Sequence, residues 1–526
     1  MSIVTKSIRY AVATAIAAAA CTTANALPIS QYATSANVNV YLSGSTAIDN
    51  TLLNEATEVA APGGVCQAGT LDVYYVGTVG SYSNRLFYCT GSATSGAVGQ
   101  PLAIFKESNV GSANGVVPLI AAAQGAAPAV TFINPAAIAA DASCSVSATV
   151  AAAGSYATYN NHSGCNAADV IAETPTGGFA DVEANILRTA SGGSFSTSQI
   201  SQYLNQSTDL DVVWGIAVTK NLYYALQAAE HLADGSVIAT CNTPNNDAAA
   251  CAPSLSKAQV AGIFSGSLYS SSQLGIATPT SNDTNLYLCR RDKGSGTEAS
   301  FEAYFLNQRC SVFSSQAMQN ESTSTPAYVL AAGGTSGIRK CLQAFYSGGS
   351  LTAYYTPTLT VAEPGNQYAI GIMSSEVKPS DLTAAGDSFR LIAIDGVLPT
   401  LANAVNGFDP YWSTGAAYQV KSGFPGAPTG TALTVLNNIT KLLGQPAWTA
   451  TSNSAYVGVP WGNGGDLAPA DRYFATNPPT QPATNATVAA NPTNAFSKSG
   501  SNCNTPVPFG NTPVEGTLLG TGTVNH

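Results

Sequence analysis

The pattern that most clearly suggests a chemical role is a Gly-Ser-Gly-Thr turn at 294–297, directly before an amphipathic helical pattern. A helix start offers backbone N–H groups without intrahelical partners and the positive end of the helix dipole, which together suit a dehydrated anion. The Ser295 and Thr297 hydroxyls can donate to the same anion, and Gly296 lets the backbone approach it closely. Arg291 could add two guanidinium N–H groups. Taken alone, the turn is better explained as a helix cap beside a surface arginine.

Two further glycine-serine turns, at 44–46 and 80–81, also follow segments that have the pattern of strands. Parallel strands end at the same edge of a sheet, which is where α/β proteins bind ligands. This recurrence favours one shared anion site over unrelated helix caps. We therefore expect Ser45, Thr46 and Ser81 to lie near the turn at 294–297.

Alternating strand and helix patterns must position these turns. Strand patterns begin near Asn37 and return at 71–76, 212–218 and 286–289, each followed by a turn or a helical pattern. Such alternation favours an α/β fold. The stretch from about 90 to 174 is less regular and rich in Ala and Gly, so we interpret it as an elaboration of the first lobe.

The order of these motifs resembles that of the phosphate-binding proteins of ABC uptake systems, which have the type 2 periplasmic binding-protein fold. The resemblance is carried by SGSTA at 43–47, the glycine-serine turn at 80–81, Gly-x-x-Asp at 178–181 and RDKGSGT at 291–297. By motif order it covers about 38 to 407. It implies two α/β lobes, joined by two crossover segments, that close around a phosphate.

The resemblance also implies a ligand-binding set, which is Ser45, Thr46, Ser81, Asp181, Arg291, Ser295, Gly296 and Thr297. Thr46 and Ser81 would be donors from the first lobe, and the residues from 291 to 297 would complete the cradle from the second. Asp181 would accept a hydrogen bond from a protonated oxyanion and so separate phosphate from sulfate.

This sequence departs from the family pattern at Ala47, where an aromatic residue is usual, and at Lys293, where an acidic residue is usual. Lys293 would add positive charge, which favours a larger or more highly charged anion. Asp181 is explained equally well as a helix N-cap. The similar turn at 333–336 is structural by the family comparison, and His162 is expected on the surface, as is the histidine at 231.

Ten cysteines remain once a signal peptide at 1–26 is removed from this 526-residue chain. Their even number and the export signal predict disulfides. We expect local bridges between Cys144 and Cys165 and between Cys241 and Cys251, and we leave the other pairings open. The cysteine spacing and the scarcity of histidine predict no metal site, and no cofactor motif is evident.

The domain prediction follows from the length, which exceeds one compact core. The expected division is a signal peptide at 1–26, a first part of lobe I with a cysteine-containing elaboration at 27–210, lobe II at 211–366, a second part of lobe I at 367–467, and a Pro/Asn/Thr-rich C-terminal extension at 468–526. We expect the extension to be extended or poorly ordered, held at most by Cys503.

Composition narrows the function classes. The net charge of -10 and the absence of a basic stripe argue against a nucleic-acid partner, and no later segment predicts a membrane span. No Gly-x-Ser-x-Gly elbow supports a serine hydrolase, so we predict no enzyme, although a two-carboxylate glycosidase stays open on composition. The leading prediction is a periplasmic or secreted solute-binding protein for a small oxyanion, with an ABC permease as partner. The alternative is an extracellular structural or adhesive protein that uses the same fold.

Overall fold

A computed structural model describes residues 26–509, except 60–62, 79–80, 109–110, 129, 153–155, 190–192, 235–240, 242–244, 311–316, 323–328, 352–358 and 362–364. The predicted signal peptide therefore lies, up to residue 25, outside the described residues, as does the end of the C-terminal extension. No helix in the described part of the chain is both long enough and apolar enough to cross a bilayer.

The α-helices are listed here in chain order. They are α1 (Ile48–Thr57), α2 (Val117–Ala123), α3 (Pro135–Ala140), α4 (Thr197–Tyr203), α5 (Lys220–Asp234), α6 (Lys257–Ser265), α7 (Gly296–Leu306), α8 (Thr335–Ser347), α9 (Pro379–Ala384), α10 (Leu401–Val405), α11 (Gly430–Leu442), α12 (Pro446–Asn453), α13 (Ala470–Tyr473) and α14 (Asn485–Ala490). Short 3-10 helices add Ile29–Thr34, Ser112–Gly115, Ala184–Ile186, Ala249–Cys251, Ser271–Leu274 and Ser454–Tyr456.

The strands follow the same order. They are β1 (Val38–Gly44), β2 (Asp72–Thr78), β3 (Ser81–Thr90), β4 (Pro101–Glu107), β5 (Val130–Ile133), β6 (Ser145–Val150), β7 (Tyr159–Cys165), β8 (Val170–Glu173), β9 (Gly177–Ala180), β10 (Leu204–Thr219), β11 (Ser254–Leu255), β12 (Leu286–Arg291), β13 (Val329–Ala332), β14 (Gly349–Leu351), β15 (Leu359–Val361), β16 (Tyr368–Ser374), β17 (Phe389–Ile394), β18 (Trp412–Val420), β19 (Asp466–Leu467), β20 (Phe496–Ser497) and β21 (Val507–Pro508).

One large mixed sheet runs through the molecule in the order β13-β12-β16-β10-β18-β9-β1-β4-β3-β2-β7-β6. The long strand β10 connects its two halves, because residues from 204 to 213 pair with β18 whereas residues from 214 onward pair with β16 and β17. Separate hydrophobic clusters lie on each side, one around Val40 and Leu102 and another around Ile216 and Ile370. The predicted α/β fold with two lobes is confirmed.

The strand-turn-helix units form where the sequence predicts them. Strand β1 is buried along most of its length and leads through the turn at 45–47 into α1, and β12 leads through 292–295 into α7. Ser256 caps α6, with its side chain accepting the Gln259 N–H, and Gly266 ends that helix with a left-handed φ of 84°. Local sequence therefore determines these corners.

Glycine allows the first lobe to pack its backbone closely around β9. A Cβ atom at Gly178 would lie 1.9 Å from the Gly115 carbonyl oxygen, and one at Gly44, where φ is 96°, would lie 2.2 Å from the Phe179 oxygen. No larger side chain fits at these positions. The packing holds the ends of β1 and β9 together, next to the cleft described below.

Five disulfides link all ten cysteines that follow the predicted signal peptide. The two predicted local bridges, Cys144–Cys165 and Cys241–Cys251, are confirmed. The pairings left open are Cys66–Cys89, Cys289–Cys341 and Cys310–Cys503. Disulfides of this number are typical of an oxidising compartment.

The C-terminal segment differs from its prediction. Up to residue 509 it contains α13, α14 and β20, and it buries Val488 and Phe496 in a cluster with Trp412 and Val213. Asn494 Nδ2 donates to Asp211 Oδ2 at 2.7 Å. The expectation of a poorly ordered extension is wrong for this part, because contacts distant in sequence order a segment whose composition is nearly uncharged.

The sheet also bears on the predicted boundary between lobe II and the second part of lobe I at 366/367. Strand β16 pairs with β12, and β17 pairs with the second half of β10, so both pack with the middle of the chain. We therefore propose that lobe II extends from about 214 to 411 and that the return to lobe I occurs at β18.

Candidate functional site

A cleft of about 580 Å³ lies between the two lobes. Helix starts from both lobes reach it: Thr46 and Ala47 precede α1, Thr297 lies in the first turn of α7, and Gly333 to Gly337 include the start of α8. Each of these helices has first-turn N–H groups without intrahelical partners. The cleft therefore combines several positive helix ends.

Thr46 and Ser45 occupy the corner between β1 and α1. The Ser45 N–H donates to the Phe179 carbonyl at 2.8 Å, which fixes the corner to β9. The Ser45 hydroxyl donates to Asp181 Oδ1, and it accepts the Ala47 N–H at 3.0 Å. Thr46 lines the cleft, whereas Ser45 is buried behind it and holds Asp181.

Asp181 lies at the end of β9 and lines the same cleft. Its N–H donates to Ser112 Oγ at 3.1 Å, and its carbonyl accepts from Ser413 Oγ at 2.7 Å. The next helical turn begins after Glu183, so the alternative that Asp181 caps a helix does not hold here. Burial raises the pKa of Asp181, and the Ser45 hydrogen bond and the charge of Arg291 offset this only in part.

Arg291 ends β12 with its side chain almost fully buried, at 2% exposure. Nε donates to the Ala332 carbonyl at 3.2 Å, Nη2 to the Gly333 carbonyl at 2.9 Å and Nη1 to Thr297 Oγ1 at 3.0 Å. A guanidinium has five N–H donors, so these bonds leave two for a ligand in the cleft. Arg291 also joins the starts of α7 and α8, because its partners belong to both.

The first turn of α7 meets the first lobe directly. Ser295 caps the helix, with its Oγ accepting the Glu298 N–H at 3.4 Å, and it is fully buried rather than part of the cleft lining. A Cβ at Gly296 would lie 2.7 Å from both Cβ and Oδ2 of Asp181, so only glycine allows this contact. Among the residues predicted from 295 to 297, Thr297 lines the cleft and the other two shape its wall.

A buried cluster of charges lies behind the first-lobe wall. Asp49, in the first turn of α1, pairs with Arg85 at 3.4 Å and with Lys106 at 3.3 Å, and it accepts from Ser108 Oγ at 3.0 Å. Two cations against one carboxylate leave the inner wall positive. Sequence reasoning missed this cluster, because Arg85 and Lys106 come from β3 and β4 and no local motif marks them.

The start of α8 is a second feature that sequence reasoning missed. Residues from Gly333 to Gly337 line the cleft, a position that was not expected for the turn at 333–336. Arg339, one turn into α8, pairs with Asp381 at 2.8 Å and donates to the Glu376 carbonyl at 3.3 Å. The glycine turn after a strand was the available signal, since it repeats the pattern at 294–297.

The turn at 80–81 leads into a strand. Strand β2 returns as a hairpin into β3, with Thr78 paired to Ser81, so no helix follows this strand. Tyr82 and Ser83, the next residues of β3, line the cleft, whereas the side chain of Ser81 falls outside the described residues, so its predicted role as a donor stays a prediction. His162 lies on β7 with its ring stacked on Tyr74 at 4.2 Å, so it is half-buried rather than on the surface. The side chain at 231 falls outside the described residues.

Sequence comparison finds no family model and no curated protein that matches the chain. Solved structures of similar fold include one from Clostridium perfringens with bound phosphate, at 13% identity and a TM-score of 0.38, covering 79% of this chain and 97% of that one. An ABC-type phosphate transport receptor from Vibrio cholerae follows at 11% identity and a TM-score of 0.33, with coverage of 76% and 93%. PstS from Borrelia burgdorferi has 8% identity and a TM-score of 0.33, with coverage of 82% and 98%.

Proposed function

We propose that this protein is an exported solute-binding protein that holds a small oxyanion, phosphate first, between its two lobes. The observation that carries the proposal is the convergence of Thr46, Asp181, Arg291 and Thr297 on one cleft from distant parts of the chain. The described side chains there suit binding, orientation and release of an anion. Transport would belong to a membrane partner of the ABC type.

Charge supports an anionic ligand even though the chain as a whole carries -10. Arg291, Arg339 and Lys378 line the cleft. Among the acids that line it, Asp49 and Asp381 are paired with cations. Burial raises the pKa of Asp181, and it raises that of Glu376 to about 7. The cleft therefore has a positive balance at neutral pH, and solvent screens the distant surface charge.

Asp181 provides a physical basis for selecting phosphate over sulfate. A buried carboxyl group and an oxyanion can approach each other when they share one proton, and they repel each other when they share none. A phosphate monoester loses its second proton with a pKa of about 6, and orthophosphate keeps that proton to a higher pH, so a proton is available near neutral pH. Sulfate brings no such proton, and it would depend on protonation of Asp181.

The test is a calorimetric titration of the mature chain with phosphate and with sulfate at pH 6 and pH 8. We expect saturable phosphate binding at both values, and sulfate binding at least about tenfold weaker that declines further at pH 8, since one lost hydrogen bond to a charged group costs roughly 1.5–3 kcal/mol. Asp181→Asn should remove most of this discrimination. The exposed Asp471→Asn is the matched control and should change neither ligand.

Phosphate and sulfate binding equally in the wild type, with no effect of Asp181→Asn, would argue against the assigned selectivity. Absence of any oxyanion binding in the folded mature chain would argue against the receptor function as a whole. The extracellular structural role would then be the better explanation, because the same low charge and disulfides suit display on a surface.

A further inference from the structure

The cleft is larger than a single tetrahedral oxyanion requires. Its volume is about 580 Å³. One water molecule accounts for roughly 30 Å³ of liquid, so the space equals about twenty waters. Pockets for small organic ligands typically measure about 300–1,000 Å³. The volume therefore fits an organic molecule that carries the anion.

Contacts between the lobes already bound this space. At the inner end, the Ala113 N–H donates to the Gly294 carbonyl at 2.9 Å, and Gly296 lies against Asp181. At one side, Asn50 Nδ2 donates to the Tyr456 hydroxyl at 3.1 Å, which in turn donates to Glu376 Oε1 at 3.0 Å. The lobes therefore touch at two places beside the cleft, which is open to solvent elsewhere.

Other residues in the lining of the cleft offer donors and acceptors side by side. Arg339 and Asp381 are paired at 2.8 Å, and Arg339 Nε is buried without a hydrogen-bond partner in the described part of the chain. Glu376, also in the lining, has Oε1 and Oε2 as acceptors and shares them with Tyr456 and Ser374. Free donor capacity and carboxylate acceptors therefore lie within the same wall.

This mixture discriminates between possible ligand groups. A second phosphoryl group would meet the carboxylate of Asp381, which repels it. A hydroxyl group can both donate to a carboxylate and accept from a guanidinium, so it satisfies both members of the Arg339–Asp381 pair. Vicinal hydroxyls therefore match this wall better than further anionic charge does.

We propose, as an extension that rests on the oxyanion function, that the ligand is a phosphate monoester of a polyhydroxylated carbon compound. Its phosphoryl group binds at Thr46, Asp181, Arg291 and Thr297, and its hydroxyl groups bind along Arg339, Asp381 and Glu376. The lining thus offers partners for two kinds of ligand group, and bare phosphate would use only one set of them.

The experiment compares orthophosphate, glucose, and a panel of glucose 6-phosphate, ribose 5-phosphate and glycerol 3-phosphate by calorimetric titration of the mature chain. We expect at least one of the three esters to bind tenfold or more tightly than orthophosphate, and glucose to bind more weakly than both. Arg339→Met should reduce the preference for that ester over orthophosphate, measured as the ratio of the two dissociation constants in the same variant, to about threefold or less. Lys340→Met is the matched control, because Lys340 is the next residue of α8, loses the same charge and lies outside this cleft.

If orthophosphate binds as tightly as all three esters, the extension is wrong and the oxyanion function stands. It is equally overturned if Arg339→Met leaves a tenfold preference for an ester unchanged. If neither orthophosphate nor any ester binds, the oxyanion function itself fails, which the first two outcomes do not imply.

Discussion

Arg291→Met is expected to weaken phosphate binding at least about 100-fold, the largest effect on binding of any single change in the cleft. Arg291 is the most deeply buried cation in the lining, and its remaining N–H groups face the ligand space. Removal of one partner from a buried, hydrogen-bonded charge pair costs roughly 2–5 kcal/mol, and about 1.4 kcal/mol corresponds to a tenfold change. Titration calorimetry of the variant with phosphate measures the loss directly.

Lys293→Met is the matched control for this prediction. It removes the same charge two residues away, and Lys293 does not line the cleft. Its affinity should stay within about threefold of wild type, because solvent screens a charge outside the site. Equal losses of phosphate affinity in Arg291→Met and Lys293→Met would mean that binding depends only on the overall positive charge of the region and not on contacts made by Arg291. Arg291→Lys keeps the positive charge but loses the paired N–H donors of the guanidinium. An intermediate loss of phosphate affinity in this variant would indicate an effect on binding and not a folding defect.

The stability of the folded chain is expected to fall as the pH rises from about 4 to 8, by several kcal/mol in total. Burial raises the pKa of Asp209 to about 8 and those of Asp211 and Asp409 to about 7. The unfolded carboxyl groups lose their protons near pH 4, whereas the folded groups retain theirs until pH 7–8. Between these values the unfolded state binds fewer protons, so the free energy of unfolding decreases with pH.

The magnitude is set by the shifts, since each pKa unit corresponds to about 1.4 kcal/mol. Asp209 alone accounts for on the order of 5 kcal/mol. Urea unfolding midpoints between pH 4 and 8.5, with the disulfides intact, measure the trend. Asp209→Asn should flatten the profile and raise the midpoint at pH 8, while the exposed Asp395→Asn should not. A midpoint that rises steadily from pH 5 to 8 would contradict the assignment of protonated buried acids.

Much of the local structure follows from the sequence. The turns at 45–47 and 292–295 adopt the predicted strand-to-helix geometry, and at the second of them the Ser295 hydroxyl accepts the Glu298 N–H and so caps α7. The two corners reach the same cleft from opposite halves of the sheet, because β1 and β12 run in opposite directions and both end at the cleft. Arg291 reaches that cleft from the end of β12 because its position in the strand is fixed by the sheet register.

Other parts depend on pairings that no local pattern encodes. Strand periodicity at 72–78 does not reveal whether a helix or a hairpin follows, and the structure forms the β2–β3 hairpin. The inner wall charge depends on Asp49, Arg85 and Lys106 meeting from three elements. Such a cluster is visible only once the sheet order is known.

The C-terminal segment shows that composition alone does not predict whether a segment is ordered. Its nearly uncharged Pro/Asn/Thr composition is typical of extended chains, since few residues can form a core by themselves. Here the core is supplied by the rest of the molecule, with Phe496 and Val488 beside Trp412, and the Cys310–Cys503 bridge closes a loop of 193 residues. The composition of a segment does not reveal which distant residues it packs against.

The most direct measurement is a crystal structure of the mature protein soaked with arsenate, with the arsenic atom located by its anomalous scattering. Arsenate has the shape and protonation of phosphate, so it should occupy the same site. The account predicts one strong arsenic peak within about 4 Å of both the Arg291 guanidinium and the Thr297 hydroxyl, the reach of a hydrogen bond to an arsenate oxygen. An arsenic peak at another surface, or a cleft that stays free of arsenic at saturating arsenate, would contradict the account.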